Sequence, residues 1–555
     1  MSRSDPELER GAELSRRAFL SGAAALPAAL ALERCIKHTG GAVSALGARG
    51  RTRARAPCDD LSHDAVLRLW RGYRADRAGQ VLFVPRGFNY LNGGISHSTP
   101  WAYTQDVPML WYGPGFINAR RYGVTRYVTL ADIAPTVAEL MGFPFAAKDG
   151  RVMTEALDPD RAGKPKLIVV LVWDAGGRYV LDLFPRHWPR LKDLKRRGTW
   201  YTNATVGSSP SNTAPTHATI GTGAFPRRHG VVDNTIRFPD GRLADPWSRG
   251  PAVMLVNALA DEYGKAMGSK AVIGMFGTLP WHVAMIGKGT LYPGGQRSFA
   301  VNRSFGHSDT EAPGWALSDK LKQYYRFPGA YLNETSIDPF LSVADMADGK
   351  ADGKWRGKDI RSLQGGFHTP ARVPFQTHGI KEAIKHEHLG QHQATDLLFL
   401  NYKIIDEVGH QYFASSPEMG DTIRVQDRYL QNLVDFLDER LPGKWVLCLT
   451  ADHGHTAEPS RTGGVVISER RVGALVDSRF DRDGDPDLVQ VTRPVWLQLD
   501  PDDINRNDVD LRDVAAYVRS LTKAQTAGVS GDHASDRVFQ SAFPGSALSN
   551  LPCLG

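Results

Sequence analysis

The chain has 555 residues, 42% hydrophobic and 23% charged, which is ordinary for a folded soluble protein and excludes a chain that is disordered throughout. That length exceeds what one compact core usually carries, so one large α/β domain with insertions, or two domains, is expected. The net charge of +7 does not argue for nucleic-acid binding: residues 1–56 hold ten Lys/Arg against five Asp/Glu, and the remainder is near neutral.

In chain order, Ser15-Arg16-Arg17-Ala18-Phe19-Leu20, followed by an Ala/Leu run to Leu32, reads as a twin-arginine export signal (1–35) with Ala29-Leu30-Ala31 as a cleavage site. Passage through the twin-arginine export machinery implies a periplasmic or extracellular location. The apolar run is too short and too rich in Ala to span a bilayer, and no other membrane span is expected. Arg34 stands before Cys35, so no lipoprotein box is present. The four cysteines, Cys35, Cys58, Cys448 and Cys553, form no C-x-x-C pair and no zinc framework. Cys448 lies in an apolar run and reads as a core thiol. Cys58 and Cys553 are able to pair in an oxidising compartment, and spacing alone leaves that open.

Residues 36–57 read as a linker, with ordered structure beginning near Cys58. Val81–Pro85 and Val107–Tyr112 read as strands, and Asp132 to Gly142 reads as a helix capped by Asp132 and ended by Gly142. Lys166 to Asp174 opens an α/β core. The Gly-, Pro-, His- and aromatic-rich stretch at about 235–393 reads as an insertion over the active face, the place for substrate selection. From Thr395 the pattern is strand, helix (Asp421 to Leu441) and strand again.

Three apolar β-type runs each end in a carboxylate: Leu167–Trp173 before Asp174, Leu397–Tyr402 before Asp406, and Val446–Thr450 before Asp452. In an open α/β sheet, ligands gather at the carboxyl ends of strands, so the three can converge. Two carry imidazoles nearby, His410 in Asp406-Glu407-Val408-Gly409-His410 and His453 in Asp452-His453-Gly454, giving five oxygen and nitrogen donors for a metal site.

Between these lies Ser211-Asn212-Thr213-Ala214-Pro215-Thr216, continuing to Thr222-Gly223 and Pro226-Arg227-Arg228-His229-Gly230-Val231. This string resembles the nucleophile segment of the alkaline phosphatase superfamily, in its type I phosphodiesterase/nucleotide pyrophosphatase branch. The carboxylate motifs follow in the family's order, and the match runs from Lys166 to about Ser460. The resemblance implies a three-layer αβα core with a mostly parallel central sheet. It implies Thr213 as nucleophile and one of two zinc ions held by Asp174, Asp452 and His453 with Thr213 as a further ligand. The other ion would be held by Asp406, His410 and one further His, and a small phosphate ester or nucleotide would be the substrate. It also implies Asn234 as a phosphate-contacting amide, while His217, His229 and His455 match no ligand position.

In the family the third His comes near the C-terminus, from H-[GS]-x-P-[YW]-x-Y followed by a V-P-[VLM]-L strand and a D-I-A-P-T helix. Here that segment stands near the N-terminus, as His97-Ser98-Thr99-Pro100-Trp101-Ala102-Tyr103, Val107-Pro108-Met109-Leu110 and Asp132-Ile133-Ala134-Pro135-Thr136. The order resembles a circular permutation, with 58–160 completing a core formed by 161–555 and His97 as third ligand. His533, in Gly531-Asp532-His533-Ala534, is the rival that would keep the usual order. Relatives that cleave monoesters carry a Lys-x-Arg after the strand that follows the nucleophile. Here Val272–Phe276 leads into Gly277-Thr278-Leu279-Pro280-Trp281 without a cation, so diester or pyrophosphate cleavage is favoured over monoester cleavage. Lys288 is a substitute cation and Trp281 a stacking surface on this reading. A sulfatase is disfavoured, because Thr213-Ala214-Pro215-Thr216-His217 stands where C/S-x-P-x-R is needed. A hypothesis of another class is a non-catalytic, metal-bound binding protein on the same fold.

Overall fold

In the computed structural model, the residues described are 57–91, 97–246, 253–287, 298–303, 314–332, 336–484 and 487–549, all within the compact unit 56–555. The signal and most of the linker lie outside them, as do Lys288, Cys35, Cys553 and the side chain of Trp281.

Strands β1 (Val81–Pro85), β2 (Met109–Tyr112), β3 (Val124–Thr129), β4 (Leu167–Trp173), β5 (Thr199–Thr205), β6 (Ile273–Phe276), β7 (Phe299–Arg303), β8 (Trp315–Ala316), β9 (Asp396–Tyr402), β10 (Trp445–Thr450), β11 (Val489–Arg493), β12 (Trp496–Leu499) and β13 (Phe539–Pro544) build two sheets. Nine strands form the central sheet in the order β8-β7-β6-β9-β4-β10-β2-β5-β3. β7, β6, β9, β4 and β10 run parallel, whereas β2 pairs antiparallel with both β10 and β5. Every residue of β4 is buried, because helices cover both faces: Ile168, Val170 and Val172 enter one apolar core, and Leu167, Val169, Leu171 and Trp173 enter the other. Such two-sided burial explains why the run reads as continuously apolar rather than alternating.

The helices that matter for the site are α1 (His63–Gly72), α2 (Ala102–Gln105), α3 (Ile133–Met141), α4 (Thr213–Thr222), α5 (Pro280–Gly287), α6 (Arg372–His386), α7 (Ile404–Tyr412) and α8 (Pro417–Arg440). Ser416 caps α8 by accepting from Met419 N–H, and Pro417 fills the first turn, where its missing N–H costs nothing. Gly142 ends α3 in the left-handed region, as expected. Asp132 does not cap α3. Its carboxylate accepts from Thr129 N–H (2.7 Å) and Arg151 N–H (2.6 Å), closing the turn before the helix and tying it to the following loop.

The stretch 235–393, expected as an insertion, contains β6, β7 and β8, which extend the central sheet. β7 and β8 are five and two residues long, too short for a strand period to stand out among the loops around them. β11, β12, β1 and β13 form a separate four-stranded antiparallel sheet. In β1, Leu82 and Val84 face the main core while Val81 and Phe83 face the small sheet's own core. Gly545 N–H donates to Gln80 O at 2.8 Å, so the two ends of the described chain lie side by side. Cys58 is disulfide-bonded, and Cys448 is a buried free thiol in β10. Among the described residues no helix is long and apolar enough to cross a membrane.

Candidate metal centre and nucleophile

Strand register brings the carboxylates together. Tyr402 of β9 lies opposite Trp173 of β4, and Thr450 of β10 lies opposite Val172, so the three strands end at one level. Asp174 follows β4 directly, Asp452 follows β10 after one residue, and Asp406 sits in the first turn of α7. Ala175, with φ +57°, turns the chain sharply after Asp174, and its N–H donates to Asp452 Oδ1 at 3.0 Å. A left-handed alanine costs about 1–2 kcal/mol, sustained here by the carboxylate it binds.

Several imidazoles surround these acids. His453 Nε2 is 3.3 Å from Asp452 Oδ2 and 3.7 Å from Asp174 Oδ1. His410 Nε2, one turn along α7, is 3.3 Å from Asp406 Oδ2, and His97 Nε2 is 3.7 Å from Asp406 Oδ1. The His97 and His453 rings stack at 3.8 Å, and His455 packs 5.3 Å from His410. His97 Nδ1–H donates to Ser211 O and His453 Nδ1–H donates to Gly454 O, an assignment that leaves both Nε2 lone pairs aimed at the acids. Neighbouring donors on a tetrahedral ion with bonds of about 2.0–2.1 Å stand about 3.3–3.4 Å apart, which the two 3.3 Å pairs match. Asp406 Oδ1, Asp452 Oδ2 and His453 Nε2 are buried without a hydrogen-bond partner. Unpaired donors of this kind, converging on one volume, fit divalent ions.

Two of the donor groups, His97–Asp406–His410 and Asp174–Asp406–His453, have ligand atoms within 4.8 Å of one another and join all three strand ends to the N-terminal segment. A third, Asp174–His217–Asp452, meets the same distance, yet His217 has no lone pair to offer. Its Nδ1–H donates to Thr213 O at 2.9 Å, and its Nε2 accepts from Asn401 Nδ2 at 3.0 Å. His217 is thus a strut between the nucleophile segment and the acids.

Burial dominates the protonation equilibria. It lifts Asp174 to about 6 and raises Asp452 well above the usual carboxylate range, each carboxylate also repelled by another, while it holds His453 near 3. For Asp406 burial is outweighed by His410 and Lys403, which hold the carboxyl well below the usual range.

Thr213 opens α4 and is 3% exposed, at the helix end whose dipole favours an anion. Asn234 Oδ1 accepts from Ala214 N–H at 3.0 Å, so its amide is oriented by the helix end it was expected to accompany. Asn234 N–H in turn donates to Asp233 Oδ1, and Asp233 Oδ2 pairs with Arg493. The loop carrying His97 is bolted to the nucleophile loop: Ser211 Oγ donates to His97 O (2.6 Å), and Gln105 Nε2 donates to both Thr99 O and Ser208 O. His533 is not part of this assembly; its side chain is 78% exposed and pairs with Asp536. His229 is buried away from the acids against Thr219.

Three contributors escaped the sequence reading. Asn401 Nδ2 donates to Asp174 Oδ2 at 2.9 Å as well as to His217, and it is the polar residue inside an otherwise apolar strand end. His282 of α5, where a cation was sought, accepts from Leu279 N–H through Nδ1 and turns Nε2 toward Asp174 Oδ2 at 3.4 Å. Lys403, the residue after β9, places its ammonium 3.2 Å from Asp174 Oδ1 and closer still to Asp406 Oδ2. A lysine three residues before Asp406 was its signal.

Comparison with known proteins agrees with this geometry. The chain is 25% identical over 353 residues to alkaline phosphatase PhoV of Synechococcus elongatus, covering 54% of this chain and 61% of that protein. It is 25% identical to a calcium-transporting ATPase of Myroides odoratus, covering 66% and 75%. To alkaline phosphatase PafA of Elizabethkingia meningoseptica it is 22% identical, covering 69% and 77%. The chain thus spans less than two thirds of the PhoV relative. The crystal structure of wild-type PafA superposes with a TM-score of 0.50 at 17% identity, over 64% of this chain and 76% of that one, a likeness of fold. Residues 168–547 match the family model described as type I phosphodiesterase / nucleotide pyrophosphatase, and the chain belongs to that family, within the alkaline phosphatase superfamily.

Proposed function

We propose that the protein is a metal-dependent phosphohydrolase that cleaves phosphodiester or nucleotide pyrophosphate bonds through a phosphothreonine intermediate on Thr213. The observation that carries this reading is the convergence of Asp174, Asp406, Asp452, His97, His410 and His453, drawn from four separate stretches of chain, beside the N-terminus of the helix that Thr213 opens. Asp174, Asp452 and His453, with Thr213 itself, would hold one divalent ion, and Asp406, His410 and His97 the other; mixed Asp/His donors suit zinc. When bound, such a pair supplies Lewis-acid stabilisation of the attacking and leaving oxygens of an in-line displacement. Thr213 Oγ1 gives its proton to solvent and attacks phosphorus as the leaving oxygen departs and takes up a proton; water then attacks the same phosphorus, releasing the phosphate monoester and restoring the threonine hydroxyl. The Asn234 side-chain amide N–H, with the positive end of the α4 dipole behind it, holds the nonbridging oxygens.

The single charge of a diester suits a site whose stretch after β6 lacks a cation between Gly277 and Gly287. A second reading, phosphate monoester hydrolysis, is supported by the names of the PhoV and PafA relatives and by the buried ammonium of Lys403. The test is kcat/KM of the zinc-loaded protein on bis(4-nitrophenyl) phosphate and on 4-nitrophenyl phosphate, with Thr213→Ala as the blank. A diester preference supports the first reading and a monoester preference the second. Zinc retention without turnover on either would mark a metal-bound binding protein instead. Thr213→Ala is expected to keep its metal and lose at least about a thousandfold in kcat.

The permuted order belongs to the same proposal. It is supported by β1 lying between β12 and β13, by Gly545 bonding to Gln80, and by His97 reaching the site from outside the stretch matched by the family model. Export through the twin-arginine machinery is supported by the Arg16-Arg17 segment and by the disulfide at Cys58, a bond that persists in oxidising compartments.

A further inference from the structure

Lys403 has no counterpart among the residues that the proposed mechanism uses, yet it occupies the middle of the centre. Its side chain is 10% exposed, and its ammonium pairs with Asp174 Oδ1 at 3.2 Å and, more closely, with Asp406 Oδ2. These are oxygens that face His453 and His410, the donors of the two metal groups. Asp174 Oδ2 is taken by Asn401, so Oδ1 is the oxygen left for a cation. The position is built in by the fold: Lys403 directly follows β9, whose register against β4 sets it beside Asp174, and α7 carries Asp406 one turn further on.

We propose that Lys403 is a resident third cation of the centre, an ammonium that links the carboxylates of the two metal groups and competes with divalent ions for them. The inference rests on the metal-dependent reading above. Three buried carboxylates without a compensating charge would be strongly destabilising, and one ammonium shared by two of them keeps the metal-free protein folded. The same ammonium must be displaced or tolerated when ions bind, because each added positive charge meets it across a low-dielectric site. The protein therefore holds its ions less tightly than the same donors would alone. Lys403 is in this sense a positioning residue that sets metal affinity.

The experiment compares the full-length protein with Lys403→Met and Lys403→Arg, measuring Zn2+ affinity by chelator competition, zinc stoichiometry, and Tm with and without zinc. Lys403→Met is expected to lower the Tm of the metal-free protein, to bind zinc at least about tenfold more tightly, and to show a larger zinc-induced rise in Tm. Lys403→Arg, which keeps the charge, is expected to return zinc affinity toward wild type. A merely structural lysine would lower stability without tightening zinc. Unchanged or weaker zinc binding by Lys403→Met, in a setting where the wild type binds zinc, overturns this inference and leaves the metal reading intact. Failure of the wild type to bind zinc at all overturns both. If Lys403→Met is unstable when metal-free, purification from zinc-supplemented medium is expected to yield folded protein that unfolds on chelation, and its failure to fold even with zinc overturns the proposal.

Discussion

Ser211 and His97, 114 residues apart, are joined twice: Ser211 Oγ donates to His97 O at 2.6 Å, and His97 Nδ1–H donates to Ser211 O at 3.2 Å. The second bond sets the tautomer that leaves Nε2 facing Asp406, and Ser211 lies two residues before Thr213. One pair of hydrogen bonds therefore couples a proposed metal donor to the proposed nucleophile. His97→Ala is expected to lower bound zinc by about one equivalent and to reduce kcat/KM by about a hundredfold or more, whereas Ser211→Ala, which leaves the backbone acceptor in place, should cost about tenfold or less. Metal analysis of the purified variants, beside their rates, checks both.

Asn401 serves two acceptors with one amide, Asp174 Oδ2 and His217 Nε2. Asn401→Leu keeps the branched shape and removes the donor, leaving two buried acceptors without it. The expected result is a loss of about 10–100-fold in zinc affinity together with about 1–3 kcal/mol of stability. Chelator competition and urea unfolding read the two effects separately.

Gly454 closes the Asp452-His453-Gly454 turn under the main chain of α2: a Cβ there would lie 2.2 Å from Tyr103 O, which is backbone and cannot swing aside. Gly454→Ala is expected to displace His453, lowering zinc affinity and activity together by about tenfold or more, with a fall in Tm of several degrees. Normal zinc binding in a folded Gly454→Ala protein would show that the turn has slack which this packing does not contain.

His229 gives the fold a defined acid sensitivity. Its Nδ1 accepts from Val231 N–H at 3.1 Å, which leaves Nε2–H to face Thr219 Oγ1, so a second proton would set Nδ1–H against an N–H donor. Burial holds its pKa near 3, below the ordinary 6.5. Between those values the unfolded chain binds the proton and the folded one does not, so stability is full above about pH 6.5 and falls as pH drops toward 3. His229→Gln is expected to be less stable at pH 8 and to lose less between pH 7 and pH 5 than the wild type. Urea midpoints at the two pH values, taken on both proteins, test the sign.

Much of this architecture was legible locally. The runs Leu167–Trp173 and Leu397–Tyr402 read as strands because they are apolar and mostly of β type, Asn401 apart, and the observed strands begin within a residue of them. The helix expected over Asp421 to Leu441 is α8, which starts four residues earlier because Ser416 and Pro417 form its cap. β6 matches Val272–Phe276, the run compared with the strand that follows the nucleophile, whereas β7 and β8 were folded into an expected insertion, since a strand of two to five residues between loops has too few side chains to show its period.

The candidate donors divide along a similar line. The sequence by itself determined the chemistry on offer: three carboxylates at strand ends, two imidazoles in short motifs, and a threonine at a helix start, all set by neighbours within a few residues. Only the tertiary structure decided which other groups join them. Asn401 and Lys403 reach Asp174 because β9 pairs with β4 in one register rather than another, and a shift of one residue would turn Asn401 to the opposite face. His282 arrives from α5, and His97 is separated from Asp406 by more than 300 residues of chain. Distances of that kind leave no local periodicity. They are set by sheet order and crossover, which depend on the burial of the whole chain at once.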